Sequence, residues 1–89
     1  MRRTALITGA SRGFGRALAE RLAADGWNVV IDARGPEALE SARVAVDAAG
    51  PGTVVALPGD IEDPVHVAAL VSAAAGQGRL ELVVNNAGT

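Results

Sequence analysis

Three glycines mark the segment of this chain best suited to bind an anion. They lie in Thr8-Gly9-Ala10-Ser11-Arg12-Gly13-Phe14-Gly15, between a short apolar run and an amphipathic stretch. Glycines permit a tight turn and a close approach of the backbone to a phosphate, and the N-terminus of a following helix offers free N–H groups and a positive dipole end. The Ser11 hydroxyl adds a further donor. The segment therefore predicts a phosphate-binding turn; a tight strand-to-helix connection without a ligand is the alternative interpretation.

The residue types that are missing exclude several other kinds of chemistry. The 89 residues contain no Cys, no Tyr, no Lys and a single His. Disulfides and thiolate chemistry are therefore excluded, a His-based metal site is disfavoured, and no phenol or amine is present to act as acid, base or Schiff-base former. The net charge of −2 gives no general attraction to nucleic acid or to an anionic membrane. No apolar run approaches the roughly 20 residues that span a bilayer. We expect a soluble, cytoplasmic protein without a metal.

Apolar runs and amphipathic stretches alternate along the whole chain. Short β-branched and apolar runs at 4–8, 27–32, 53–57 and 80–84 read as buried strands. Three stretches of helical periodicity separate them, and glycines follow each stretch. This βαβαβαβ order predicts an α/β fold, a Rossmann-type doubly wound parallel sheet with strand order 3-2-1-4.

This topology predicts unequal cover for the two faces of the sheet. The first two helices cover one face and only the third covers the other. The last strand is apolar yet has nothing after it to pair with its outer edge, so we expect an incomplete sheet. Residues 1–89 are accordingly interpreted as the N-terminal part of a single dinucleotide-binding domain.

The apolar residues of the helices indicate which faces are buried. In the first helix, Phe14, Leu18 and Leu22 recur every four residues. Asp63-Pro64 is typical of the start of the third helix. We expect four apolar side chains to share one face of that helix: Val67, Leu70, Val71 and Ala74. His66 is interpreted as a surface residue, because no serine or carboxylate constellation surrounds it in the sequence.

The octapeptide resembles the cofactor motif of the short-chain dehydrogenase/reductase family, in which Thr precedes glycines spaced Gly-x-x-x-Gly-x-Gly. Three further features follow in that family's order: a polar or charged switch after the second strand, Asp60-Ile61 after the third, and Asn85-Asn86-Ala87-Gly88 after the fourth. The resemblance covers essentially the whole chain. It implies the N-terminal part of an enzyme that transfers hydride between a nicotinamide and a carbonyl or alcohol carbon.

The resemblance also implies roles for individual residues. Asp60 would accept a hydrogen bond from the adenine amino group, with the backbone of Ile61 facing the ring; a turn or helix-capping aspartate is the alternative for Asp60. Asn86 would hold the sheet, with Ala87 and Gly88 beside the adenosine ribose. The pyrophosphate and adenosine phosphate would lie against the motif residues Gly9, Ser11, Arg12, Gly13, Phe14 and Gly15.

The residues around the end of the second strand favour NADP(H) over NAD(H). An NAD enzyme of this kind has a carboxylate there for the ribose 2′-hydroxyl, whereas an NADP enzyme has arginine. By alignment, that position falls on Ala33, followed by Arg34, and Arg12 is the second position where NADP-dependent members resemble this chain. Asp32 would favour NAD if the register slipped by one residue, but strand alternation turns it away from the face that Ala33 presents. Surface cations are the alternative interpretation of both arginines.

The family's catalytic tyrosine and lysine have no counterpart in this chain, so no catalytic residue is predicted. Two hypotheses follow. The first is an NADP(H)-dependent oxidoreductase acting on a small carbonyl or alcohol substrate, whose catalytic part lies outside these residues. The second is a non-catalytic adenine-nucleotide-binding or interaction module made of the half-fold alone. By resemblance, the whole protein is expected to form a dimer or tetramer.

Overall fold

The computed structural model describes residues 2–86, which form seven elements in the predicted βαβαβαβ order. The strands are β1 (Arg3–Ile7), β2 (Asn28–Ala33), β3 (Val54–Pro58) and β4 (Arg79–Val84), and the helices are α1 (Gly13–Ala24), α2 (Pro36–Ala49) and α3 (Pro64–Gln77). The predicted strands differ from these bounds by at most one residue at each end. The α/β assignment is therefore confirmed.

The four strands form one parallel sheet in the order β3-β2-β1-β4. This is the predicted order, and it places the crossovers on opposite faces of the sheet. Within the part of the chain that the structure describes, β4 has no strand beside its outer edge. Among residues 2–86 no helix combines the length and apolar content needed to cross a bilayer.

The two faces of the sheet carry cores of very different size, as the topology predicts. On one face, α1 and α2 cover the apolar side chains of β1 and β2 that include Ile7 and Ile31. On the other face, α3 covers a small cluster in which only Leu6, Val30, Leu70 and Ala74 are buried. Alternate residues of β2 therefore face different helices. The direction of Asp32, the polar residue near the end of β2, follows from this alternation.

The end of α1 depends on Gly26. Its φ of 92° is a left-handed conformation that glycine adopts without a Cβ penalty. The Gly26 N–H donates to the Ala23 carbonyl and the Trp27 N–H to the Leu22 carbonyl, both at 3.0 Å. These two bonds form a Schellman motif, which satisfies the last carbonyls of the helix and turns the chain into β2.

The buried face of α3 differs from the predicted one. Leu70 and Ala74 are buried as expected, but Val67 and Val71 are exposed and line an open groove of about 340 Å³ beside β4. The residue that continues the buried stripe is His66, only 9% exposed. The surface assignment of His66 is therefore wrong. His66, Leu70 and Ala74 are spaced i, i+4, i+8, which places them on one helical face.

Asp63 caps α3 as predicted, because its Oδ1 accepts a hydrogen bond from the Val65 N–H at 3.0 Å. Replacing Asp63 with Ala is expected to lower the free energy of unfolding by about 1 kcal/mol, the usual effect of losing a side-chain cap. Denaturant midpoints measure the change. Asp47→Ala, at an exposed carboxylate on α2, is the control and is expected to have little effect. Equal midpoints for wild type and Asp63→Ala would contradict a stabilising cap.

Candidate functional site

A cavity of about 630 Å³ opens at the carboxyl ends of the strands. Ligands of open α/β sheets bind at this edge. Most of the predicted cofactor residues line it together: Gly9, Ser11, Arg12, Gly13, Phe14, Ala33, Arg34, Ile61 and Asn86. Four lining residues were not predicted, namely Asp32, Gly35, Gly59 and Glu62. Gly15 and Asp60 lie outside the lining, and the predicted contacts of Ala87 and Gly88 lie outside the described residues.

The turn between β1 and α1 has the backbone conformation that its glycines permit. Gly9 and Gly13 have φ values of 64° and 62°, in the left-handed region. A Cβ built on Gly13 meets nothing within 4 Å. Gly13 therefore leaves open space on the cavity side, which a bound group can approach closely.

Side chains from the end of β2 and from the segment after β4 hold the turn at Gly9. The Gly9 N–H donates to Asp32 Oδ1 at 2.9 Å, and the Gly9 carbonyl accepts from Asn86 Nδ2 at 3.1 Å. The Asn86 N–H also donates to Thr8 Oγ1 at 2.9 Å. Asn86 thus connects the segment after β4 to the turn, which agrees with the structural role predicted for it.

The N-terminus of α1 is left open toward the cavity. Arg12 is the N-cap residue and makes no side-chain cap bond within the described chain, and the first turn contains no acidic residue. By contrast, α3 is closed by the side chain of Asp63. The first N–H groups of an uncapped helix and its positive dipole end suit an anion such as a phosphate.

Phe14 is directed away from the core. Its side chain is 67% exposed, and it lines the cavity. The predicted apolar stripe of α1 is therefore wrong at this position: the buried residues of the helix are Gly15, Ala19 and Ala23, while Leu18 and Leu22 are partly buried. The buried face of α1 thus consists of small residues, which allow a helix to pack closely against a sheet.

The carboxylate of Asp32 is enclosed by protein donors. Its Oδ1 accepts from the Gly9 N–H, its Oδ2 lies 2.8 Å from His66 Nε2, and the side chain is 2% exposed. Strand alternation directs Asp32 toward α3, while Ala33 packs with the core under α1 and α2. The predicted separation of Asp32 and Ala33 onto opposite faces is confirmed.

Two arginines supply the positive charge of the cavity wall. Arg12 and Arg34 are both exposed, and the Arg34 side chain is 75% exposed. An Arg34 guanidinium nitrogen lies 3.5 Å from Asp60 Oδ1, and that oxygen also accepts from the Glu62 N–H at 2.9 Å. Asp60 therefore acts as a turn aspartate, which was the alternative interpretation of this residue. Its contact with adenine stays a prediction.

The sequence model described as short chain dehydrogenase matches residues 3–89. The chain belongs to the short-chain dehydrogenase family. It is 37% identical over 89 residues to the 3-oxoacyl-[acyl-carrier-protein] reductase FabG of Staphylococcus aureus, covering 99% of this chain and 36% of that protein. The chain spans about a third of the length of the relatives it matches.

Two solved structures of the family contain different nicotinamide cofactors. A metagenomic short-chain oxidoreductase in complex with NADP has a TM-score of 0.83 and 38% identity, covering 98% of this chain and 39% of that one. A short chain dehydrogenase of Mycobacterium paratuberculosis bound to NAD has a TM-score of 0.88 and 35% identity, covering 98% and 37%. Both share the fold of this chain, so the fold alone does not select between the cofactors.

Proposed function

We propose that these residues form the cofactor-binding part of an NADP(H)-dependent oxidoreductase, which transfers hydride between a nicotinamide and a carbonyl or alcohol carbon. One observation carries the choice of cofactor: the carboxylate at the end of β2 is buried against protein donors, while Arg34 is exposed beside it at the cavity. A 2′-phosphate needs cations, and a ribose 2′-hydroxyl is recognised by an accessible carboxylate.

The turn between β1 and α1 and the start of α1 fit a bound dinucleotide. The open space beside Gly13 allows a pyrophosphate to approach the turn, and the uncapped N-terminus of α1 offers N–H donors to it. When bound, the cofactor would supply the hydride donor or acceptor. The residues of this chain would bind and orient it, with Asp32 holding the turn in place from β2 and Asn86 holding it from the segment after β4.

The same geometry supports a role for Arg12 and Arg34 at the 2′-phosphate. Both side chains end at the cavity and neither is buried in the protein. Arginine binds phosphate through paired N–H donors, which makes it more selective than a point charge. Asp32 has one protein donor on each carboxylate oxygen and almost no exposed surface. Its carboxylate is therefore not accessible to a ribose hydroxyl.

We propose a small carbonyl or alcohol compound as the substrate of the whole protein and assembly as a dimer or tetramer, on the strength of family membership. Activity is tested by following NADPH consumption by the native protein with a panel of aldehydes and ketones. Nucleotide binding without consumption of NADPH for any substrate would favour the non-catalytic module instead.

Replacing Arg34 with Ala tests the cofactor assignment. We expect affinity for NADP(H) to fall about 10- to 100-fold, equal to about 1.4 to 2.7 kcal/mol, because a phosphate-binding cation is lost. Affinity for NAD(H), which lacks the 2′-phosphate, should change little. Isothermal titration calorimetry of the native protein with both cofactors measures the two changes.

Arg21→Ala is a closely matched control for this substitution. The Arg21 side chain is 77% exposed and pairs with Asp25 at 3.3 Å, much as Arg34 pairs with Asp60 at 3.5 Å, but it lies toward the other end of α1. We expect Arg21→Ala to bind both cofactors like the wild type. Equal losses of NADP(H) and NAD(H) affinity in Arg34→Ala would contradict a role at the 2′-phosphate.

A further inference from the structure

A continuous path of contacts leads from the start of α3 to the turn between β1 and α1. His66 Nε2 lies 2.8 Å from Asp32 Oδ2, and the other oxygen of that carboxylate accepts the Gly9 N–H at 2.9 Å. Both side chains are almost completely buried, with 8% of His66 and 2% of Asp32 exposed. We assign the donor role to His66 Nε2, since an ionised carboxylate only accepts hydrogen bonds.

Gly59 provides the space that the imidazole ring occupies. A Cβ built on Gly59 would lie 2.6 Å from His66 Cε1 and closer still to Nδ1, so any larger residue would displace the ring. The Gly59 N–H donates to the Ala33 carbonyl at 3.0 Å, which fixes this residue against the end of β2. The position of the ring is therefore determined from two sides, by Gly59 and by Asp32.

Asp32 holds the turn between β1 and α1 through two hydrogen bonds. Its side chain accepts from Gly9, and its backbone carbonyl accepts from the Ala10 N–H at 2.9 Å. The backbone bond depends on the strand, but the side-chain bond depends on which way the carboxylate is directed. Without a donor at Oδ2, a buried carboxylate loses half of its hydrogen bonds and is favoured to rotate toward the water of the cavity that Asp32 lines.

We propose that His66 is a positioning residue for dinucleotide binding, which holds the Asp32 carboxylate against Gly9 and thereby places the phosphate-binding turn. The inference rests on the proposed function, because it requires that a pyrophosphate binds at this turn. His66 does not touch the cofactor; it acts through Asp32. In metal sites, groups that orient a ligand residue in this way contribute about 10- to 100-fold to affinity, and we expect an effect of the lower size here.

Two substitutions of His66 separate the hydrogen bond from the bulk of the ring. His66→Leu fills the space without a donor, and His66→Gln retains an N–H at about the position of Nε2. Each variant of the native protein is titrated with ADP-ribose, which contains the pyrophosphate, and with adenosine 2′-phosphate, which lacks it. We expect His66→Leu to bind ADP-ribose about tenfold more weakly and adenosine 2′-phosphate unchanged. His66→Gln should restore most of the ADP-ribose affinity.

The amide proton of Gly9 gives a spectroscopic measure of the same contact. A hydrogen bond to a carboxylate shifts an amide proton resonance downfield, so the Gly9 signal should move upfield in His66→Leu and return in His66→Gln. Gly59→Ala should also break the hydrogen bond between His66 and Asp32, since the added methyl group displaces the imidazole ring while His66 itself is unchanged. It should reproduce His66→Leu in both measurements. Gly76→Ala, where a Cβ meets nothing within 4 Å, is the control.

The outcomes distinguish this inference from the proposed function. Wild-type protein that binds ADP-ribose, together with a His66→Leu variant that binds it equally well, overturns the positioning role alone. Equal weakening of both ligands in His66→Leu and His66→Gln also overturns it, because that pattern indicates a general structural effect. Wild-type protein that binds neither ligand overturns the proposed function and this inference with it.

Discussion

Gly15→Ala is expected to weaken dinucleotide binding about 100-fold, although Gly15 does not line the cavity. A Cβ at this position would lie 2.7 Å from the Gly9 carbonyl oxygen and 2.8 Å from Asn86 Nδ2. The amide of Asn86 can rotate away, but the Gly9 oxygen is backbone and moves only with the turn. The added methyl group therefore separates α1 from the turn and breaks the bond between Asn86 and Gly9. The N–H donors at the start of α1 move with the helix.

Gly76→Ala is the control for this loss, and Gly13→Ala tests the open side of the same turn. Gly13→Ala introduces no contact with the protein within 4 Å but places a side chain at a φ of 62°, which costs about 1 kcal/mol. Its methyl group also occupies space that a pyrophosphate would need, so we expect it to weaken binding as well. Gly76→Ala in α3 introduces neither contact nor strain and should be neutral or slightly stabilising. Calorimetry with NADP+ measures the affinity of each variant. Wild-type affinity in Gly15→Ala would contradict the proposal that contact between α1 and the turn positions the phosphate donors.

The elements and their order could be predicted because each depends on local patterns. Buried parallel strands have continuous apolar runs, helices have one apolar face, and Gly26 and Asp63 have the local conformations that end and begin helices. The strand order is that of doubly wound folds, and right-handed crossovers then place α1 and α2 on one face of the sheet and α3 on the other. The same reasoning placed Asp32 and Ala33 on opposite faces of the sheet, since alternation along a strand is a local property.

The environment of Asp32 could not be predicted because it depends on residues distant in the sequence. His66 is 34 positions away, and Gly59 matters only because the ring of His66 lies against it. The spacing within α3 could have identified the buried face, because His66, Leu70 and Ala74 lie at i, i+4 and i+8. Val67 and Val71 were predicted to be buried because they are hydrophobic. Phe14 was misassigned for the same reason. Where small residues face the sheet, hydrophobicity alone does not identify the buried face.

Asp32→Ala is expected to lower the free energy of unfolding by about 2 to 4 kcal/mol, because two buried donors lose their acceptor. The substitution leaves the Gly9 N–H and the His66 Nε2–H without their acceptor in a region that is closed to water on the α3 side. It also removes the side-chain bond between β2 and the turn. Chemical denaturation of the native protein without cofactor measures the loss.

Asp32→Asn separates the hydrogen bonds from the charge. The amide oxygen can still accept from Gly9, and the amide nitrogen can donate to His66 once the imidazole changes its tautomer. We therefore expect a loss of about 1 kcal/mol, well below that of Asp32→Ala. Asp25→Ala, at a half-exposed carboxylate paired with Arg21, is expected to change the free energy by no more than about 0.5 kcal/mol. If Asp32→Ala is no less stable than Asp25→Ala, the buried pair contributes nothing to the fold, and its contacts serve only to place the turn.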